Sequence, residues 1–444
     1  GLIRPGPVQG GAVHPYIRRR TGAEPVTYPH PLLEPVLERT LGIPVFQEQL
    51  MQMAITVGNC TAADADLLRR AMGSKRGMER IDSLRTKLFE GMAANGIDDE
   101  TAQDIYARIE SFANFGFAES HALSFAGLVY SSVWIKLHYP AAYLAALLRS
   151  QPMGFYSSAT LVADARRHGV VTRRPDVVKS SVNADLELLD SCYEEHGGEG
   201  LETGMEGCLR DHDESEIGAF DPNRDDGDHR RDTCFAVRLG LSDISGISAE
   251  TATRIVEEGK RRSFASLDDL ARRVDLSGEE VEALALAGAF DDLVGSRRGA
   301  LWQIGQINGV GPGQLDVQVA TQPPLLPEPT QMELLSDDLH ATGISTADHP
   351  VRHVRGVLNR RGVVRIDRLD GVEAGRRIEV AGVVTHRQRP GTAGGVTFLN
   401  LEDETGLLNV IVTPGVWRHY RRVARTSQSL VCLLYTSDAA DEED

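Results

Sequence analysis

Apolar residues recur along this chain at two spacings, and the change from one to the other divides it. Over roughly the first 150 residues they fall three and four apart, the period of a helix with one buried face. Helices are therefore expected at about 46–57, 62–72, 78–94, 101–113, 121–138 and 140–149. Ahead of them Pro5, Pro7, Pro15, Pro25, Pro29 and Pro31 fix their own φ and bias their predecessors away from helix, which predicts an extended opening. Thr61 can cap the second helix and Asp64 can support its first turn. Leu67, Leu68, Ala71 and Met72 would bury one face, and Gly73 would end it. From His121 to Tyr139, apolar groups such as Leu123, Phe125, Leu128, Val129, Val133 and Trp134 cover almost every face, which predicts burial on all sides. Ser124, Ser131, Ser132 and Lys136 interrupt that run, so it does not read as a membrane span.

The second half mixes patterns. Residues 164–181 suggest a helix and then a strand ending in DVVKSS. Leu239, Leu241, Ile244, Gly246, Ile247, Ala252 and Ile255 resemble a helix-hairpin-helix, whose tight turn offers backbone N–H groups to a phosphate. Ser248 stands where the second hairpin glycine would be, and a purely structural helix-turn-helix fits the same pattern. Arg254, Lys260, Arg261 and Arg262 would be the accompanying cations. The more tempting string Gly309–Val310–Gly311–Pro312–Gly313 leads only into a proline-rich linker reaching Pro329. Alternation then sets in at Ile378, Val380, Gly382 and Val384, again over 397–401 and 408–413, with Gly394, Gly395 and Gly406 in turns. A small β-barrel resembling an OB-fold is expected there.

Charge sharpens this division. The 444 residues carry a net charge of −17, which looks wrong for a nucleic-acid binder. However, 17 acidic and 4 basic residues lie from Asp185 to Asp232, and the tail from Asp438 onward adds five more acids, leaving about +1 elsewhere. Residues 340–430 hold 14 basic and 8 acidic groups, so the last domain is the basic one. Five irregularly spaced cysteines suggest reduced thiols rather than a disulfide framework. Within the acidic segment, Cys192 with His196, Cys208 with His212 and His229 with Cys234 have spacings that zinc can use, among irregular separations and flanking acids.

Four ordered blocks, IRPGP (Ile3–Pro7), QEQ (Gln47–Gln49), LRRAMG (Leu68–Gly73) and FANFGFAESHALSFA (Phe112–Ala126), resemble the fingers domain of C-family bacterial DNA polymerases, the DNA polymerase III alpha group. QPMGFY, DARRHGV, AVRLGL and THRQRPGTAGGVTFLNLEDETG resemble its error-prone branch more than the replicative one. The resemblance implies a multidomain α+β chain. Residues 1–150 would be helical polymerase fingers, 151–184 a connecting α/β segment and 185–234 an acidic disordered insert. A helix-hairpin-helix domain at 235–307, a linker at 308–339 and an OB-fold at 340–431 would follow. The final residues 432–444 resemble a translated sequencing-library adapter, and native sequence is expected to stop near Val431.

In polymerases of this kind the fingers close on the incoming nucleotide, so Arg69, Arg70, Lys75 and His121 are the nucleotide-binding candidates. Fixed cations stabilise the charge that phosphoryl transfer builds on oxygen. Spacing alone also lets Arg70 pair with Asp66 one turn earlier, and lets His121 serve as a cap or core residue. Arg4, Gly246, Ile247, Arg254, Arg387, Arg389, Phe398 and Trp417 are the DNA-binding candidates, with Phe398 equally suited to the core. Arg4, Gln47 and Gln49 would contact primer or nucleotide, or else be solvated.

No aspartate pair here matches the palm carboxylates with which the family holds Mg²⁺, so that metal is expected upstream and the chain alone should not polymerise DNA. Expected partners are primer-template DNA, dNTP, the sliding clamp and accessory mutagenesis proteins, in the bacterial cytoplasm at the nucleoid. QMELL (Gln331–Leu335) loosely resembles a clamp-binding pentapeptide and also reads as an ordinary helix start. Two other readings stay open: a replicative alpha subunit, and a non-catalytic module that holds single-stranded nucleic acid.

Overall fold

The computed structural model describes residues 13–71, 81–111, 118–154, 156–190, 229–307, 326–373, 375–390 and 395–435. They form two compact units, one up to Val133 and one from Trp134 onward.

The first unit is helical: α1 (Val13–Arg20), α2 (Glu34–Leu37), α3 (Gln47–Gly58), α4 (Ala62–Ala71), α5 (Arg85–Ala94), α6 (Asp99–Ser111) and most of α7 (Glu119–His138). Its opening is not extended throughout. Pro31 and Pro35 occupy the first positions of a short 3₁₀ turn and of α2, where a missing N–H forfeits no hydrogen bond. Leu33, Leu37, Leu50, Met53, Val57, Leu68, Leu88, Met92 and Ile105 build the core. Helices α3 and α5 meet through two glycines: a Cβ on Gly91 would lie 2.0 Å from the Gly58 carbonyl oxygen. Thr61 and Asp64 cap α4 reciprocally, the Asp64 N–H donating to Thr61 Oγ1 at 3.3 Å and the Thr61 N–H to Asp64 at 2.7 Å. Leu67, expected on the buried face, is exposed instead, and Ala65 takes that position.

Helix α7 departs most from expectation. Leu123, Leu128 and Tyr130 are 68%, 62% and 73% exposed, and Phe125, Val129 and Val133 are exposed with them, so the described residues cover almost none of its apolar surface. Composition records a demand for burial, not the presence of the covering groups.

The second unit opens with α8 (Pro140–Arg149) and α9 (Ser158–Arg167), which pack on a small sheet. Its strands β1 (Thr172–Arg173), β2 (Asp185–Leu188) and β3 (Phe235–Arg238) run in the order β1-β3-β2, with β1 parallel to β3. The stretch around DVVKSS is a turn, because Asp176 accepts the Val178 and Lys179 N–H groups and closes the chain on itself. Next come α10 (Ala249–Arg261), α11 (Leu267–Arg273), α12 (Gly278–Leu286), α13 (Asp291–Val294) and α14 (Arg297–Ile307) around Ile255, Leu270, Leu284 and Phe290. Helices α15 (Gln331–Ala341) and α16 (Pro350–Arg361) lead to a final sheet. Thr330 and Glu333 form a capping box on α15, so QMELL is a helix start.

That sheet has β4 (Arg377–Gln388), β5 (Thr397–Glu402), β6 (Leu407–Val412) and β7 (Ser429–Tyr435) in the order β6-β5-β4-β7, all antiparallel, with a bulge between Val384 and His386. Helix α17 (Pro414–Thr426) joins β6 to β7. Among the described residues there are four strands here, one fewer than a closed OB barrel uses. Strand β7 pairs with β4 through Tyr435, past the change of sequence character at Cys432. Cys60 and Cys432 are free, but Cys234 is disulfide-bonded, which corrects the expectation that all five thiols are reduced.

Candidate nucleotide and nucleic-acid interface

Arg69 and Arg70 project from the last turn of α4, and both reach back to Asp66, at 2.8 Å and 2.5 Å. Both remain largely solvent-facing, and the Arg69 and Arg70 guanidiniums hold the Asp66 carboxyl below the usual carboxylate range. The bland pairing expected from spacing therefore forms, and for both arginines. It is a surface contact that a phosphate can displace. Lys75 and Arg4 lie outside the described residues. His121 sits on the exposed first turn of α7 with its ring 4.3 Å from that of Phe125. Nearby, the Glu119 N–H donates to Glu48, and Glu119 pairs with Arg39 at 2.5 Å, which fixes the start of that helix.

Gln49 is not a surface contact. Its Oε1 accepts the Val45 and Phe46 N–H groups, and its Nε2 donates to Thr40 Oγ1, in a buried network that closes the start of α3. Gln47 is half-buried.

The helix-hairpin-helix candidates divide. Gly246 is exposed with φ +91°, a conformation that favours glycine, and it precedes Ser248, which caps α10 by accepting the Thr251 N–H. Ile247 is a core side chain, so only its backbone can face a ligand. Arg254 is half-buried and donates to Thr251 Oγ1, while Glu280 accepts from the same hydroxyl, which ties α10 to α12. Arg261 pairs with Glu258, and Arg262 with Asp269.

At the C-terminal sheet, Arg387 is exposed, and its Nε donates to the Ala424 carbonyl at 2.8 Å and its Nη2 to that of Ser427. These bonds close the end of α17. Arg389 is exposed and lies over the Trp417 ring at 5.9 Å. Phe398 is half-buried on the face opposite Leu399 and Leu401, beside Gln388 and Ile411, and outside the core of the sheet. Trp417 packs against that core. Sequence reasoning passed over Arg418, Arg421, Arg422 and Arg425 on α17, although Pro414 directly after Thr413 is a helix-start signal.

Burial governs the carboxylates behind the sheet. It pushes the Glu402 carboxyl up despite Arg167 at 3.2 Å, while Asp403, fully buried, pairs with Arg355 at 2.8 Å. Among the described residues no three His, Cys, Asp or Glu side chains cluster as metal ligands, and no helix is long and apolar enough to cross a membrane.

Residues 1–96 match the bacterial DNA polymerase III alpha subunit finger domain, and residues 169–300 match a helix-hairpin-helix motif. An error-prone DNA polymerase of Cutibacterium acnes is 90% identical over 431 residues, covering 97% of this chain and 38% of that protein. By sequence, this chain is similar to error-prone DNA polymerases over nearly all of its own length. Those of Mycolicibacterium paratuberculosis and Corynebacterium glutamicum are 49% and 45% identical, again over 97% of the chain, with 36% of each relative covered. The chain thus spans a little over a third of the length of the curated relatives it matches. The described residues combine a helical first unit with a second unit of helices and two small sheets, and the helix-hairpin-helix match lies in the second unit.

Proposed function

We propose that this chain is the nucleotide- and DNA-holding portion of an error-prone DNA-directed DNA polymerase acting in translesion synthesis and repair. The relationship to error-prone polymerases over 97% of its length carries the reading. Arg69 and Arg70, exposed on one helical turn and paired with the surface carboxylate of Asp66, would exchange it for the triphosphate of the incoming nucleotide, with His121 and Lys75 as further candidates for the same ligand. The Gly246 turn and the OB-like sheet, with Arg389, Phe398 and Trp417, would hold the DNA. Arg387 acts indirectly, by fixing α17.

The polymerases of this reading use Mg²⁺. In a full-length protein that metal would be held by palm-domain carboxylates outside this chain. What this chain supplies is orientation and charge.

Titrating the 444-residue chain with a fluorescent dNTP and with labelled primer-template tests the reading. Affinity for both is expected, and Arg69→Gln/Arg70→Gln should weaken the nucleotide at least tenfold while sparing DNA. A chain that binds neither would end the proposal. Primer extension by this chain with Mg²⁺ would overturn the placement of the metal elsewhere.

A further inference from the structure

Helix α17, kinked at Tyr420, carries four arginines: Arg418 before the kink, and Arg421, Arg422 and Arg425 after it. At 1.5 Å per residue, Arg421 to Arg425 span about 6 Å along one flank of the segment after the kink, with Arg418 one turn ahead of it. All four are exposed, and among the described residues none has a carboxylate within ion-pair distance. That sets them apart from most arginines of this unit. Arg297 is paired with Asp338, Arg355 with Asp403 and Glu404, Arg238 with Glu187, and Arg262 with Asp269. Four uncompensated guanidiniums within about two turns repel each other and gain from a polyanion that threads between them.

The helix is held rigidly enough to present them. Trp417 and Ala424 anchor it to the sheet, and Arg387 binds the carbonyls at its end. Arg389, over Trp417, adds a fifth cation at the same edge.

We propose that this flank of α17 is a binding surface for the sugar-phosphate backbone of a DNA single strand. It rests on the DNA-binding reading above and moves the electrostatic contact from the strands to the helix. Guanidinium rather than ammonium groups favour phosphate, which they grip bidentately. One short stripe matches two or three successive phosphates of an extended strand. A duplex would need cations on both sides of a groove. A membrane surface fits less well: the largest apolar side chain of α17, Trp417, is turned into the core, leaving Val416, Tyr420 and Val423 as the exposed apolar groups.

Anisotropy of labelled oligo(dT) with the full 444-residue chain, at several salt concentrations, tests this. Two variants, Arg418→Gln/Arg422→Gln and Arg421→Gln/Arg425→Gln, guard against one failing to fold, with helix content checked by circular dichroism. Each should bind more weakly and lower the slope of log affinity against log salt by about 1.4, at roughly 0.7 per phosphate contact on single strands. Unchanged slopes in folded variants, with wild-type binding intact, would overturn the helix surface and leave the DNA reading standing. No oligo(dT) binding by the wild type would overturn both. Equal competition by unlabelled duplex would overturn the single-strand assignment. Arginine-dependent sedimentation with phosphatidylserine vesicles, without loss of oligo(dT) affinity in the variants, would replace it with a membrane surface.

Discussion

Replacing Gln49 with alanine separates a structural residue from a ligand contact. The side chain is only 3% exposed. Its Oε1 accepts two backbone N–H groups, Val45 at 2.9 Å and Phe46 at 3.1 Å, while Nε2 donates to Thr40 Oγ1 at 2.7 Å. Truncation leaves the Val45 N–H and the Thr40 hydroxyl buried without these partners. At about 1–3 kcal/mol for each unmade bond, partly relieved by relaxation, the loss should be about 2–4 kcal/mol. Native-state hydrogen exchange reads this directly. The amides of α3 should exchange roughly 30-fold to 1,000-fold faster, while the protection of the second unit is unchanged. Nucleotide affinity should fall only in proportion to the unfolded population. If exchange in α3 rises less than threefold and nucleotide binding nonetheless drops tenfold, Gln49 touches ligand and the network argument is wrong.

Gly91→Ala should destabilise the first unit by about 1–3 kcal/mol or more, since the new methyl would strike the Gly58 backbone; thermal unfolding followed by far-UV circular dichroism measures it. The Asp64 carboxyl is held at about 2 by Lys87, with Thr61 adding to the effect. A depressed carboxylate contributes stability that is full above its unfolded value and lost as pH falls from about 4 through about 2. An NMR titration of Lys87→Ala should show Asp64 moving back towards the ordinary range, and an unmoved Asp64 would leave the cap as the sole cause. Asp338→Ala should cost up to about 3–5 kcal/mol by leaving buried Arg297 only the longer Asp337 ion pair at 3.7 Å, measured by chemical unfolding. Arg387→Gln should lower the melting temperature and leave the salt dependence of DNA binding unchanged, whereas Arg389→Gln should reduce that slope by about 0.7.

The elements that could be read from sequence are those whose cause is local. Helices α3 to α8 follow the three-and-four apolar period, and Thr61 with Asp64 announces its own cap. Strands β4, β5 and β6 follow strict alternation. What could not be read depends on partners distant in sequence. Gly58 and Gly91 are 33 residues apart, and nothing in either neighbourhood says that their backbones touch. Gln49 sits in a motif that suggests ligand contact, yet its partner Thr40 decides otherwise. Arg387 looked like a phosphate ligand because the strand pattern does not reveal where α17 ends. Helix α7 shows the converse failure, since its composition demands cover that the described residues do not supply.

The arginines give the clearest physical division. An arginine beside a buried carboxylate is already neutralised, and moving it to phosphate would strand a charge in low dielectric. Arg167 with Glu402, Arg297 with Asp338 and Arg355 with Asp403 are of this kind. Arg69 and Arg70 are intermediate: Asp66 occupies them at the surface, where the pairing is weak and yields to a stronger anion. The α17 arginines have no competitor among the described residues, so their whole electrostatic free energy is available to a ligand. A net charge of −17 therefore hides three classes of cation, and only their local partners tell which can bind a polyanion. If the ordering is right, raising salt should release single-stranded DNA from α17 variants less steeply than from the wild type, whereas Asp66→Asn should strengthen nucleotide binding without altering that slope. Failure of the second result would mean that Asp66 does not compete with phosphate, and that the first helical unit binds its nucleotide elsewhere.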